Sequence, residues 1–147
     1  MTINIKNRKA SFEYHILNTY TAGLSLLGTE IKSIRNNKAN ISDAYCTFVD
    51  EELYVKNLHI SEYTNGGYNN HDPKRDRKLL LNKIEINKLL GKVKEKGNSI
   101  IPIRLFINQT GRCKLEISLA KGKKIYDKRE SIKEKDLKRE NDRVRKI

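Results

Sequence analysis

Apolar residues in the first half of the chain recur at every second position, the signature of strands with one face turned inward. Between Phe12 and Asn18, the residues Phe12, Tyr14 and Ile16 share one face. Ala22 to Leu27 is predicted as a second strand after a turn. Gly28, Thr29 and Glu30 then open a short helix, with Ile31 and Ile34 three apart and Thr29 as its N-cap. Residues 44–50 and 52–60 read as another strand pair, joined near Asp50 and Glu51. From 64 to 76 the alternation stops. Thr64-Asn65-Gly66-Gly67-Tyr68-Asn69-Asn70-His71-Asp72-Pro73 is dense in turn formers, which predicts an exposed, mobile loop.

The second half holds two clearer patterns. Ile86, Leu89, Leu90 and Val93 recur at helical spacing, with Asn82 and Glu85 as a capping box and Gly97 as the stop. A hairpin follows: Ile101, Ile103, Leu105 and Ile107 alternate on one strand, and Cys113, Leu115, Ile117 and Leu119 on the next. Asn108 to Gly111 supplies the turn. The other face of the returning strand, with Arg112, Lys114, Glu116 and Ser118, is expected to meet water or a ligand. The predicted fold is mainly β: an antiparallel barrel of the oligonucleotide-binding (OB-like) kind, two or three short helices and a basic C-terminal tail. Periodicity alone does not separate a barrel from a sandwich.

Charge changes the picture from residue 121 onward. Residues 121–147 carry 12 Lys and Arg against 6 Asp and Glu, a net +6 of the total +13, leaving +7 on residues 1–120. Their apolar positions are too sparse for a core-facing stripe. The expected division is therefore a folded domain over 1–120 and a tail over 121–147, disordered alone and helical when docked. A net +13 on 147 residues favours a polyanionic partner, nucleic acid above all. No apolar stretch is long enough to span a bilayer, and the N-terminus lacks the apolar segment of a signal peptide, so a cytoplasmic location is expected and no membrane partner. Cys46 and Cys113 sit in apolar segments outside any CxxC pattern and are expected to be reduced and packed. His15, His59 and His71 show no metal-ligand spacing, and no cofactor is implied.

Several strings add a sharper expectation: Asn7-Arg8-Lys9-Ala10, the run Gly28 to Arg35, Lys38-Ala39-Asn40-Ile41-Ser42-Asp43-Ala44-Tyr45, His71-Asp72-Pro73, Arg77-Lys78-Leu79-Leu80-Leu81, Gly91-Lys92-Val93, and the run Ala120 to Arg129. In this order, from about residue 6 to residue 139, they resemble the small protein B family, the factors that bind transfer-messenger RNA (tmRNA). The resemblance implies an OB-like barrel with no catalytic activity. It also implies binding to the elbow of the tRNA-like domain of tmRNA and delivery to the empty A site of a stalled 70S ribosome, with elongation factor Tu and GTP. The tail would enter the decoding centre and the messenger channel.

Carried onto this chain, the resemblance implies a tmRNA-facing set of Tyr14, Glu30, Lys32, Lys38, Asn40, Tyr45, Leu81, Lys114, Lys121, Lys123 and Lys124. Lysines neutralise phosphates, a tyrosine ring stacks on an unpaired base, and Asn40 reads a base edge or a 2′-hydroxyl. Glu30 would have to accept from a base amine or a hydroxyl. Its bland alternative is to cap its helix or pair with Lys32. The tail residues implied at the decoding centre are Tyr126, Asp127, Lys128, Arg129 and Val144. Phe12 stands where the family often has His, Thr21 where it often has an acid, and Tyr126 where some relatives have His. Two rivals compete. A structural ribosomal protein fits the charge equally well and would accompany every ribosome stoichiometrically. A metal-dependent nuclease would use Glu30, His71 and Asp72, but no second acidic cluster stands at useful spacing.

Overall fold

The computed structural model describes residues 3–122. In chain order these form β1 (Asn4–Lys6), α1 (Ala10–Glu13), β2 (Tyr14–Leu24), α2 (Gly28–Arg35), β3 (Ala39–Asn40), β4 (Tyr45–Val49), β5 (Glu52–Lys56), β6 (His59–Ile60), β7 (Arg77–Leu80), α3 (Lys83–Val93), β8 (Asn98–Ile107) and β9 (Cys113–Gly122). A single 3-10 turn lies at Gly67–Asn69. The fold is mainly β, and the strand pairings are antiparallel. The main sheet runs β1-β8-β4-β5-β7-β2-β9, and β9 pairs again with β8, so the order returns on itself with β1 outside the ring. β3 and β6 make a separate two-stranded ribbon.

The core lies inside that ring. Leu53, Val55, Leu79, Ile100, Leu105, Leu115, Ile117 and Leu119 meet there, joined by Ile34 of α2 and Leu89 of α3. Alternation explains most of this, since residues two apart on a strand share a face. α3 forms where its spacing predicts, and the Asn82 side-chain oxygen accepts the Glu85 N–H at 2.8 Å. It stops at Val93, and Gly97, expected as its stop, instead adopts φ +85 just before β8. Asp50 and Glu51 both take positive φ, 51° and 66°, the two-residue turn whose twist matches a hairpin.

Two bulges break the simple alternation. β2 is one strand of 11 residues, not two strands around a turn, and Phe12 lies before it in the single turn of α1, 78% exposed. Pairing with β9 from Tyr14↔Gly122 to Gly23↔Lys114 outweighs the local turn signal. The register shifts between Ile16 and Asn18, so Tyr14 and Ile16 face outward while Tyr20 and Ala22 face the core. β8 shifts likewise between Pro102 and Arg104. A proline inside a strand is tolerated at a bulge. In consequence Ile101 and Ile103 turn away from Leu105 and Ile107 and pack outside with Ala10 and Ala120. That outer cluster also covers Ser118, expected at the surface but fully buried, its hydroxyl donating to the Asn18 carbonyl at 2.6 Å.

Burial pushes the Cys113 thiol up to about 12 and raises that of Cys46 as well. Both are buried and free of disulfides. Since the thiolate is the nucleophile, iodoacetamide at pH 8 should modify neither cysteine in the native protein and both in denaturant, read by mass spectrometry. Fast modification of the native chain would contradict this packing.

Candidate nucleic-acid interface

The start of β2, the start of β4 and the segment after β3 converge on one open cleft. Its volume is about 350 Å³, and Asn7, Lys9, Glu13, Tyr14, Ser42 and Tyr45 are among the residues that line it. Tyr14 faces outward because of the β2 bulge and leans on the Ala10–Ala120 cluster. Tyr45 opens β4 opposite Lys56 and is 49% exposed. Asn40 is exposed beside the cleft. Its side-chain oxygen accepts both the Ser42 N–H at 2.9 Å and the Ser42 hydroxyl at 2.7 Å, an Asx turn that leaves its amide N–H groups pointing elsewhere. Lys9 and Asp43 on the rim approach to 3.8 Å, an exposed pair that a ligand phosphate can displace at small cost.

Lys38 precedes β3, two residues from Asn40, and is likewise exposed. Lys32 is exposed on α2, its ammonium 5.4 Å from the Tyr63 ring. Lys121, the residue before the end of β9, pairs with His15 and so lies on the sheet face opposite Tyr14, whose partner is Gly122. Two other residues of the expected set lie elsewhere. Lys114 stands opposite Gly23, eight residues along β9 from Gly122, roughly 26 Å away at strand rise. Leu81 follows Leu80, which also pairs with Gly23, so Leu81 and Lys114 share that far end. Leu81 is half-buried against the core. Lys123, Lys124, Tyr126, Asp127, Lys128, Arg129 and Val144 lie outside the described residues.

Glu30 requires correction. It is fully buried and offers RNA no surface. One carboxylate oxygen accepts the Leu27 N–H at 2.8 Å and Arg75 Nη2 at 2.7 Å, and the other accepts Arg77 Nε. Arg77, also fully buried, donates onward to the Leu58 carbonyl at 2.7 Å and the Pro73 carbonyl at 3.2 Å. Burial is the largest single influence on the Glu30 carboxyl and raises it. The donations from Arg75, the Leu27 N–H and Arg77 together outweigh burial and hold it below the usual carboxylate range. Its partners lie 45 and 47 residues downstream, beyond the reach of local pattern.

The 64–76 loop is correspondingly less free than its composition predicts. His71 is buried, with Nε2 2.9 Å from the Ile60 carbonyl and Nδ1 2.9 Å from the Thr29 hydroxyl. A carbonyl only accepts, so Nε2 donates to it, and in the neutral ring Nδ1 accepts from Thr29. Thr29 thus holds the loop rather than capping α2. With Glu30 and His71 so engaged, the nuclease set is not assembled. Among the described residues no group of three or more His, Cys, Asp and Glu is placed to hold a metal, and no helix is long and apolar enough to cross a membrane. Asn7, Lys9 and Glu13 are cleft residues that hydrophobic periodicity does not single out, although Asn7 and Lys9 belong to the Asn7-Arg8-Lys9-Ala10 string.

Comparison with known proteins places the chain in a family. The family model described as SmpB protein matches residues 4–147. An SsrA-binding protein from Phocaeicola vulgatus is 61% identical over 142 residues, covering 97% of this chain and 95% of its own. One from Cytophaga hutchinsonii is 60% identical over 143 residues, covering 97% and 94%. A solved structure described as "tmRNA-SmpB: a journey to the center of the bacterial ribosome" matches with TM-score 0.70 and 45% identity, covering 82% of this chain and 85% of its own.

Removing Glu30 strands the buried Arg77 charge. Glu30→Ala should lower unfolding free energy by about 3–5 kcal/mol in urea titrations; a loss below about 1 kcal/mol would show that the pair is not holding the fold. Because the folded carboxyl lies below its ordinary value of 4.5, its contribution is complete above that value and disappears as pH falls through the folded one. The acid limb of the stability curve should therefore be shallower in Glu30→Ala than in the unaltered protein.

Proposed function

The chain belongs to the SmpB family, and from that premise we propose that it binds the tRNA-like domain of tmRNA through the face around Tyr14, Asn40 and Tyr45. It acts with tmRNA in ribosome rescue. The observation that carries the assignment of the face is the convergence of two half-exposed tyrosines on one open cleft of a strongly basic chain, with an exposed asparagine beside it bonded to the cleft residue Ser42. Folded RNA is gripped by shape, phosphate contacts and stacking on splayed bases, and this set supplies each. Lys32 and Lys38 extend the face with phosphate contacts, and Lys121 adds one from the other side of the sheet end. Lys114 and Leu81 form a second contact at the far end of β9, spaced for an extended RNA surface.

The ring of pairings serves this reading as a barrel of the oligonucleotide-binding kind, which holds nucleic acid on a strand face and the loops beside it. Lys123 and Lys124 continue the phosphate contacts beyond Lys121. In our reading the 121–147 segment then serves the ribosome, with Tyr126, Asp127, Lys128, Arg129 and Val144 at the decoding centre and in the messenger channel. Delivery with elongation factor Tu and GTP, a cytoplasmic setting and the lack of a catalytic step complete the proposal. Glu30 enters it as a positioning residue, since it fixes α2 and with it Lys32.

Body and tail then serve different RNAs. Deleting residues 125–147 should leave affinity for the tRNA-like domain within about threefold while abolishing peptide tagging on stalled ribosomes, since a ~1 kcal/mol change would already exceed that. Loss of most RNA affinity would refute the division. Changing Lys123 and Lys124 together to Ala should weaken binding and reduce the slope of log K against log salt by up to about two phosphate contacts. An unchanged slope removes both from the contact set.

A further inference from the structure

Between β6 and β7 the chain leaves the sheet in a loop whose base is clamped shut. The Asn70 side-chain oxygen accepts the Tyr63 N–H at 3.0 Å, and its amide donates to the Tyr63 carbonyl at 2.7 Å. One side chain thus does what a strand neighbour does. The next residue is His71, tied to α2 through Thr29 and to β6 through Ile60. Inside the clamp, Gly66 donates to the Tyr63 carbonyl at 2.9 Å. A Cβ on Gly66 would sit 2.7 Å from the Asn70 amide nitrogen and 2.9 Å from its Cγ, so any other residue forces the clamp apart. Gly67 takes φ +59, a left-handed conformation that favours glycine. Clamp and glycines together present Tyr68, on the 3-10 turn, with a relative exposure of 108%.

A ring held wholly in water forgoes the burial that normally retains an aromatic residue. Its surroundings indicate what covers it. Lys32 stands over Tyr63 at one side of the loop base, and the Lys38 carbonyl takes the Ser61 N–H at 2.9 Å. Lys74 is exposed at the other side. Against these cations stand Glu62 and Asp72, the latter accepting the Lys74 N–H at 3.0 Å. Arg75 is engaged by Glu30. The residues that flank Tyr68 in the loop, from Thr64 to Asn70, include no other apolar side chain, so there is no patch to seat in a protein pocket. A lone aromatic ring among lysines is suited to a base whose backbone is anionic. The clamp also limits the entropy lost when the ring is engaged.

We propose that Tyr68 is a base-stacking contact for RNA, with an unstacked nucleobase as its ligand. The proposal rests on the tmRNA-binding reading and extends it to a loop outside the cleft. The chain contains no tryptophan, so Y68W places a sole indole at the loop tip. Titration of Y68W with the tRNA-like domain of tmRNA should quench that indole and shield it from acrylamide. At fixed salt, Y68A should bind the same RNA roughly 5- to 100-fold more weakly with an unchanged salt slope, and Y68F should bind as the unaltered protein does. Unchanged affinity of Y68A, with an unquenched indole in a Y68W complex that still forms, overturns the proposal and leaves the RNA-binding reading standing. Failure of the unaltered protein to bind that RNA overturns both.

Discussion

A charge that cannot leave the protein interior organises one side of this molecule. Arg77 is fully buried at the start of β7, and its guanidinium must be matched by acceptors on every side. Glu30 supplies the opposite charge from α2, and the carbonyls of Leu58 and Pro73 supply the rest from the flanks of β6 and of the long loop. Three separate stretches of chain are thereby fixed to one planar group. Arg75 adds a second donor to Glu30 at the surface, which closes the site against water on that side. The positions of Lys32 and Tyr63, and with them one border of the basic face, depend on this arrangement.

The parts of the fold that declared themselves along the chain are those decided by neighbours in sequence. α3 shows its apolar stripe and its Asn82 cap, and the β8–β9 and β4–β5 hairpins show their turns. β9 shows its inner face without error from Cys113 to Leu119. The failures share a cause. Pattern assigns a face by parity, and a bulge reverses parity, so the residues on one side of Leu17 and of Ile103 are assigned to the wrong surface. Pro102 was a usable warning for the second bulge, because a proline within a strand points to an edge or a bulge. For the first there was no comparable sign.

The same distinction divides the candidate site residues. Lys32, Lys38, Asn40 and Tyr45 lie exposed, a state that needs no distant partner. Glu30 belongs with them in sequence and apart from them in space. Its role depends on two arginines, Arg75 in the stretch whose composition reads as a loop and Arg77 at the start of β7, and composition does not reveal that His71 and Arg77 are swallowed by the fold. An acid among lysines is informative for that reason: its neighbours in sequence do not show that its charge is matched inside the fold.

β9 is flanked by the two strands that carry the bulges, β2 on one side and β8 on the other, and is itself regular. It acts as a ruler, and its neighbours hold the slack that lets them bend around it. A one-residue insertion or deletion near Leu17 or Ile103 meets a ladder already out of step and can be taken up there. The same change within Cys113–Gly122 would throw two interfaces out of phase at once. A change of length is thus absorbed in the two bulged strands and resisted in the third.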